Sequence, residues 1–442
     1  MPVDRGRRVA SLELTRTPRF APMDVFIAIL VLIAAGLLGT TKRAYRIRRS
    51  RPIALLVAGG WVSLLVGALL GPAVFGVIDR EAVFQAVPLL GLGLGWIGLM
   101  VGLQLRLDLL RMLPRVVYAA AAVDTVVTIL VFGAIVTFTL IFWTQRPEIG
   151  PLLLPAAFMI TASLGWSLES RSLGAGADDT LALHLRASGA LTGVVAILLF
   201  GLAAKLVLPD EIAGRRLAPG YMALKLAHSV LLAVAVGLIG RYMLRLAGRS
   251  KGSQFTVFLG IVAFLAGSAK QLDASPLITA MCAGAVIANT KSSAFREFEA
   301  FIFRAEHTFG ILFGLLAGLM LEPVFAPALL GGAAAIVAAR VAIKPFVFRR
   351  VTLAMQGKDP RAPHFPAHSI LYAAAGRQSP LMLALGVSLV LIEPSLLNKE
   401  LLAIMVCVGV LAEVTPAVLA RRSWGTGAAP APRTDQPEGG EP

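Results

Sequence analysis

Histidine and cysteine are nearly absent from this chain. Of its five histidines only His364 and His368 stand in a His-x-x-x-His pair, and its two cysteines, Cys282 and Cys407, lie inside apolar runs without metal-ligand spacing. They read as small packing residues, and no bound metal is expected. No Walker loop and no dinucleotide fingerprint occurs, so ATP-driven transport and nucleotide-dependent regulation are not encoded in these residues. No cofactor and no enzymatic activity are expected. Charge is scarce as well: 15% of residues are charged against 57% hydrophobic, with a mean hydropathy of +0.79. A net charge of +16 would suggest a nucleic-acid partner in a soluble chain. Here the Lys and Arg residues sit mostly in loops between apolar runs, so the expected partner is membrane lipid, not nucleic acid.

What the chain has in abundance is apolar runs near 20 residues, the length that spans a bilayer. Thirteen are read: 24–40, 53–71, 84–104, 116–143, 152–170, 186–208, 221–244, 254–269, 274–290, 305–322, 326–348, 366–392 and 400–420. The fold class is an all-α polytopic membrane protein. Residues 1–23 and 421–442 read as disordered tails around a transmembrane domain at 24–420, and no soluble regulatory domain is expected after it. Segment 1 reads as a retained helix: it lacks a clear small-x-small cleavage site, and a basic block follows it.

Loop charge gives the orientation. Loops after odd-numbered segments carry Lys42, Arg43, Arg46, Arg48, Arg49 and Arg51, then Arg106, Arg111 and Arg115, and later Arg241, Arg245, Arg249 and Lys251. Loops after even-numbered segments hold few bases, among them Arg80, Arg146 and Lys399. The excess of positive charge on one side predicts a cytoplasmic C-terminus and an outside N-terminus, in the inner membrane of a bacterium. The Arg-rich N-terminus alone dissents.

Segments 2–6 and 9–13 form a faint repeat of five helices each. An odd number turns the second copy over in the membrane, the inverted-repeat plan of secondary transporters. The fourth helix of each copy is interrupted by small and polar residues: Thr161, Ser163, Gly165 and Ser167 in segment 5, and Gly376, Arg377, Gln378, Ser379 and Pro380 in segment 12. Segment 6 adds Ser188, Gly189, Thr192 and Gly193. In lipid a backbone keeps its hydrogen bonds internal, so matched interruptions predict chain opened toward a cavity where the two helices cross. Close helix packing also favours small residues.

Several stretches resemble one family. GALLGPAVFGVI in segment 2 is similar to a Gly-x-x-x-Gly-Pro helix end, GLQLRLDLLR closes segment 3 in the manner of Gly-Leu-Glu-Leu followed by bases, and SPLITAMCAGAVIANT in segment 9 resembles a Ser-Pro…Ala-Gly…Asn helix. FGILFGLLAGLMLEP follows, and segment 11 ends AARVAIKPFV, where a buried Lys or Arg is the pattern. In order and spacing these resemble the monovalent cation:proton antiporter superfamily, the sodium/proton and potassium/proton exchangers. The resemblance implies a core bundle at about 116–208 and 326–420, a scaffold made of the remainder, a homodimer, and Na⁺ or K⁺ exchanged for H⁺.

The acids that such exchange relies on are missing. Where the family has Thr-Asp and then Asn-Asp or Asp-Asp, this chain reads Thr161-Ala162 and Thr192-Gly193; segment 12 reads Gly376-Arg377-Gln378. Bases remain at Arg340 and Lys344 on segment 11, and an intramembrane ionisable group is a functional hypothesis by default. Lys344 alternatively snorkels to the cytoplasmic end. Asp124 on segment 4, the repeat partner of segment 11, is the first replacement acid; Glu413 in segment 13 is the second, and Glu306 with His307 reads as interfacial. The candidate site is therefore Thr161, Ala162, Ser163, Thr192, Gly193, Asp124, Arg340, Lys344 and Arg377. Three functions compete: an antiporter with an atypical ion site, a same-fold carrier of an anion or neutral solute, and a transport-inactive membrane scaffold.

Overall fold

The computed structural model describes residues 60–144, 179–207, 219–248, 250–272, 274–289, 293–322, 327–356, 380–392 and 396–424. Every regular element among them is an α-helix. In chain order these are α1 (Trp61–Leu70), α2 (Arg80–Gln85), α3 (Val87–Leu103), α4 (Leu107–Met112), α5 (Arg115–Thr144), α6 (Asp179–Val207) and α7 (Pro219–Ala247). There follow α8 (Lys251–Gln271), α9 (Pro276–Ala288), α10 (Ser293–Leu319), α11 (Pro327–Gln356), α12 (Pro380–Ile392) and α13 (Leu396–Trp424). Four of them, within α5, α7, α8 and α11, are long and apolar enough by themselves to cross a membrane. The protein is an integral membrane protein.

The helices differ from the apolar runs mainly at their ends. Segment 10 was read from residue 305, yet α10 begins at Ser293, so Glu306 and His307 fall well inside it instead of opening it. The first half of that helix alternates Phe with Arg and Glu, and a hydropathy window stops where polar residues enter even though the backbone does not. For the same reason α11 continues through Arg349 and Arg350 to Gln356, beyond the expected end at 348. Segments 1 and 5, and the interrupted part of segment 12, lie outside the described residues.

Glycine sets how closely the helices approach. Against α3, a Cβ on Gly98 would strike the backbone carbonyl of Leu277 and one on Gly102 that of Met281; from the α9 side, one on Gly284 would strike that of Leu99. The α1/α10 pair does the same: Gly67 lies on the carbonyl of Leu315, Gly318 on that of Leu64 and Gly314 on that of Gly60. Lipid tails are as apolar as Leu, so helices in a membrane associate through such close van der Waals packing and not by leaving water. Exchanging segments 2–6 with 9–13 converts the α1/α10 contact into the α9/α3 contact and α5/α6 into α11/α13. Both members of each pair are present, and α5/α11 maps onto itself.

Two packed groups result. One contains α1, α3, α7, α8, α9 and α10; the other contains α5, α6, α11, α12 and α13; fewer contacts join them than hold either together. Every residue from Leu381 to Val390 of α12 is buried. A helix that is apolar all round belongs in the middle of a bundle, and α12 touches members of both groups.

The connections sort by face. On one, Glu322 after segment 10 receives Lys399 of the segment 12–13 connection at 2.7 Å and Arg80 of the segment 2–3 connection at 3.6 Å. On the other, Asn289 after segment 9 accepts the Leu107 N–H at 2.8 Å and donates to the Leu105 carbonyl at 3.0 Å, both after segment 3. There Arg106 bonds Asp108 at 2.7 Å and holds its carboxyl below the usual carboxylate range. Even connections thus meet even, and odd meet odd.

Two outcomes follow from this packing. Gly102→Leu should lower thermal stability sharply in detergent, since overpacking costs about 1–3 kcal/mol or more where only backbone can move. Gly260→Ala, with nothing within 4 Å of the added carbon, should melt at or slightly above the parent temperature. In a cysteine-free background, Arg80→Cys and Asp108→Cys should be labelled by an impermeant maleimide from opposite faces; labelling of both from one face would break the assignment.

Candidate functional site

Asp124 of α5, Arg340 and Lys344 of α11 and Glu413 of α13 come together inside the second group. On α5, Asp124 stands nine residues after Arg115, about 14 Å along the helix at 1.5 Å per residue. On α11, Lys344 stands twelve residues before Gln356, about 18 Å from that end by the same rise. The α5/α11 contact brings them face to face, and Lys344 Nζ lies 2.8 Å from Asp124 Oδ2 in a hydrogen-bonded ion pair. Their side chains are 11% and 21% exposed. Lys344 is therefore turned to a partner on α5 rather than reaching for the end of its helix, and Asp124 is not a headgroup residue at a helix terminus.

Arg340 lies one turn before Lys344 on the same face and is 3% exposed. Its guanidinium feels the charges of both Glu413, on α13, and Asp124. Glu413 is 1% exposed and accepts a hydrogen bond from the indole Nε1 of Trp61 at 3.4 Å. Two bases from one helix thus meet one acid from each of two neighbours, and the four formal charges cancel. Beside them Pro345 interrupts the α11 ladder: it has no N–H to give the carbonyl of Val341, which leaves the backbone more polar at the level of the two bases.

The neutral candidates fare differently. Thr192 is 1% exposed, but its hydroxyl donates back to the Ser188 carbonyl at 2.9 Å, the usual resting place of a buried helical Thr. Gly193 was expected within reach of the two bases. Among the described residues, a Cβ there meets Leu381 Cδ2 of α12 at 3.1 Å. Thr161, Ala162, Ser163 and Arg377 lie outside the described residues. Among the described residues, no group of three or more His, Cys, Asp or Glu could hold a metal ion.

Sequence reading weighed Glu413 and passed over Trp61. The available signal was Gly409, one turn before Glu413: a glycine and an acid on one face of an apolar helix mark a place where something bulky approaches.

Removing one member of a buried ion pair leaves the other uncompensated and costs about 3–5 kcal/mol, whereas removing both is far milder. Asp124→Ala and Lys344→Ala should each lower the melting temperature in detergent strongly, and the double variant should melt well above the sum of the two losses. Additive losses would mean the pair contributes nothing as a pair.

No family model and no curated protein matches the chain. Among solved structures it is similar to the sodium proton antiporter MjNhaP1 from Methanocaldococcus jannaschii at pH 8, with a TM-score of 0.60 at 17% identity over 91% of this chain and 98% of that one. The electron-microscopy structure of the same antiporter matches with a TM-score of 0.55 at 16% identity, over 90% and 96% of the two chains. End-to-end coverage at that similarity establishes architecture, while identity this low leaves the chemistry to this chain's own residues. The chain has a fold like that of the sodium proton antiporter MjNhaP1.

Proposed function

We propose that this protein is a secondary active transporter of the cation:proton antiporter type in which Asp124 stands in for the acids missing at Ala162 and Gly193. The observation that carries the reading is the 2.8 Å contact between Asp124 and Lys344 inside the α5, α6, α11–α13 group. An ion pair so placed is expensive, and an ionisable residue inside a membrane is a functional hypothesis by default. The carboxylate has two alternative partners. A proton neutralises it and releases Lys344; a cation displaces the ammonium and takes its place. The two events exclude each other at one carboxylate, and that exclusion couples the fluxes. The two helix groups supply a natural core and scaffold, with the coupling residues all on one of them, and the paired contacts support an inverted repeat. The reading carries with it a homodimer in the cytoplasmic membrane of a bacterium, with the C-terminus inside, and a protein that carries solutes without converting them.

A second reading rests on charge balance. Asp124, Glu413, Arg340 and Lys344 sum to zero, and α12 offers Leu381 as the neighbour of Gly193 on α6. Such a site, once its carboxylates are protonated, suits an anion better than Na⁺. Proteoliposomes with an internal pH dye separate the two. With Na⁺, K⁺ and Li⁺ added singly, the first reading expects cation-dependent proton flux that falls at least about tenfold in Asp124→Asn, a loss of about 1.4 kcal/mol or more in transition-state stabilisation. Cation-dependent flux that survives Asp124→Asn removes Asp124 from the mechanism. Proton flux that follows the anion and ignores the cation favours the second reading. No flux with either leaves a membrane scaffold. Gly193→Asp should be made together with Leu381→Ala, because the new side chain otherwise meets Leu381.

A further inference from the structure

The two helix groups are joined by a contact whose strength depends on one proton. α1 packs chiefly on α10, in the first group. At its amino end the ring of Trp61 crosses to α13 in the second. A Cβ on Gly409 would overlap the outer edge of the six-membered ring of Trp61, so the indole reaches the α13 backbone at a position that admits no side chain. One turn further along α13, Glu413 accepts the indole N–H at 3.4 Å. Trp61 is 4% exposed and Glu413 1%. Gly60, immediately before, holds φ at 76°, a left-handed conformation that fixes where α1 starts and so where Trp61 points.

Among the described residues, charged and neutral groups both face Glu413. From α11, Arg340 faces it, with Lys344 one turn beyond and already bonded to Asp124 of α5. The described residues Leu381–Ile392 of α12 include nothing titratable, and neither does α1. Glu413 thus lies between a fixed cation within its own group and a neutral donor from the other group. An indole N–H can only donate. Toward an ionised carboxylate it makes a charge-assisted bond, roughly twice as strong as the bond it makes to a neutral acid. Protonation of Glu413 therefore weakens the bond between the groups while the steric seat on Gly409 stays in place.

We propose that Trp61 is a positioning residue for Glu413, and that the two form a proton-sensitive joint between the helix groups: ionised Glu413 fastens α13 to α1, and protonated Glu413 loosens it. As a control on movement this rests on the transporter reading above. As a titrating contact it does not, and the experiment keeps the two apart. The fluorescence of the full-length protein in nanodiscs is recorded against pH, and the Trp61→Phe spectrum is subtracted to isolate Trp61. Phe keeps a ring on Gly409 and loses only the N–H, so this variant should melt close to the parent.

The difference spectrum should change through one protonation step, and in Glu413→Gln that step should vanish. If Glu413→Gln does not fold, Glu413→Asp serves in its place: the step should move along the pH axis without disappearing. A difference spectrum flat across pH 4 to 9, or a step left unmoved in the Glu413 variants, overturns the proposal whatever the protein transports. Where proteoliposome flux is found, Trp61→Phe should displace its pH midpoint by about one unit, which corresponds to a tenfold change in the protonation equilibrium. An unmoved midpoint, with flux intact, reduces Trp61 to packing. Absence of flux with a normal spectroscopic step would refute the transporter reading and leave the joint standing.

Discussion

A charge taken out of water into a medium of apolar side chains and lipid costs several kcal/mol even after relaxation, and α11 carries two of them one turn apart. That cost constrains everything around Arg340 and Lys344. It requires opposite charge at matching depth on neighbouring helices, and α5 and α13 supply it with Asp124 and Glu413. It requires α11 to stay packed between those helices, since a shift of one turn would carry one of the two bases past its acid and leave a buried charge unmatched. The interior of the second group is thus organised electrostatically, within a bundle whose other contacts are almost wholly apolar.

The first group is organised by closeness instead. Its helices meet through glycines that let backbone touch backbone: Gly98 and Gly102 of α3 against α9, and Gly314 and Gly318 of α10 against α1. An aromatic cluster fills the remainder, with Trp96 stacked on Phe309 at 4.9 Å and Phe258 edge-on to the same ring. Such packing is stiff, because no rotamer can absorb a displacement of main chain. A rigid apolar frame thus stands beside a group whose interior carries paired charges. Among the described residues, polar ties between the two groups include Lys399 with Glu322 and Trp61 with Glu413.

Much of this was legible in the order of residues. Long apolar runs announced the helices because lipid admits no unsatisfied backbone, and alternating loop charge announced which connections share a face. The grouping of Arg80, Glu322 and Lys399 on one side, and of Asn289 with Leu105 and Leu107 on the other, follows that alternation. Helix ends were legible only in part. α10 and α11 continue into polar sequence, where hydropathy gives no signal although the backbone ladder carries on.

The sequence by itself determined that the chain is helical and membrane-embedded, that two bases sit within one apolar segment, and that acids are absent at Ala162 and Gly193. These are properties of composition and of local order, and a single strand of text contains them. Which acid answers which base was decided by tertiary structure alone. Asp124 and Lys344 are 220 residues apart, and Trp61 and Glu413 are 352 apart. Nothing local to either pair fixes the rotation of its helices about their axes. That rotation is set by where glycines allow backbones to touch and by the requirement that buried charges cancel, and both conditions exist only once the helices are packed together.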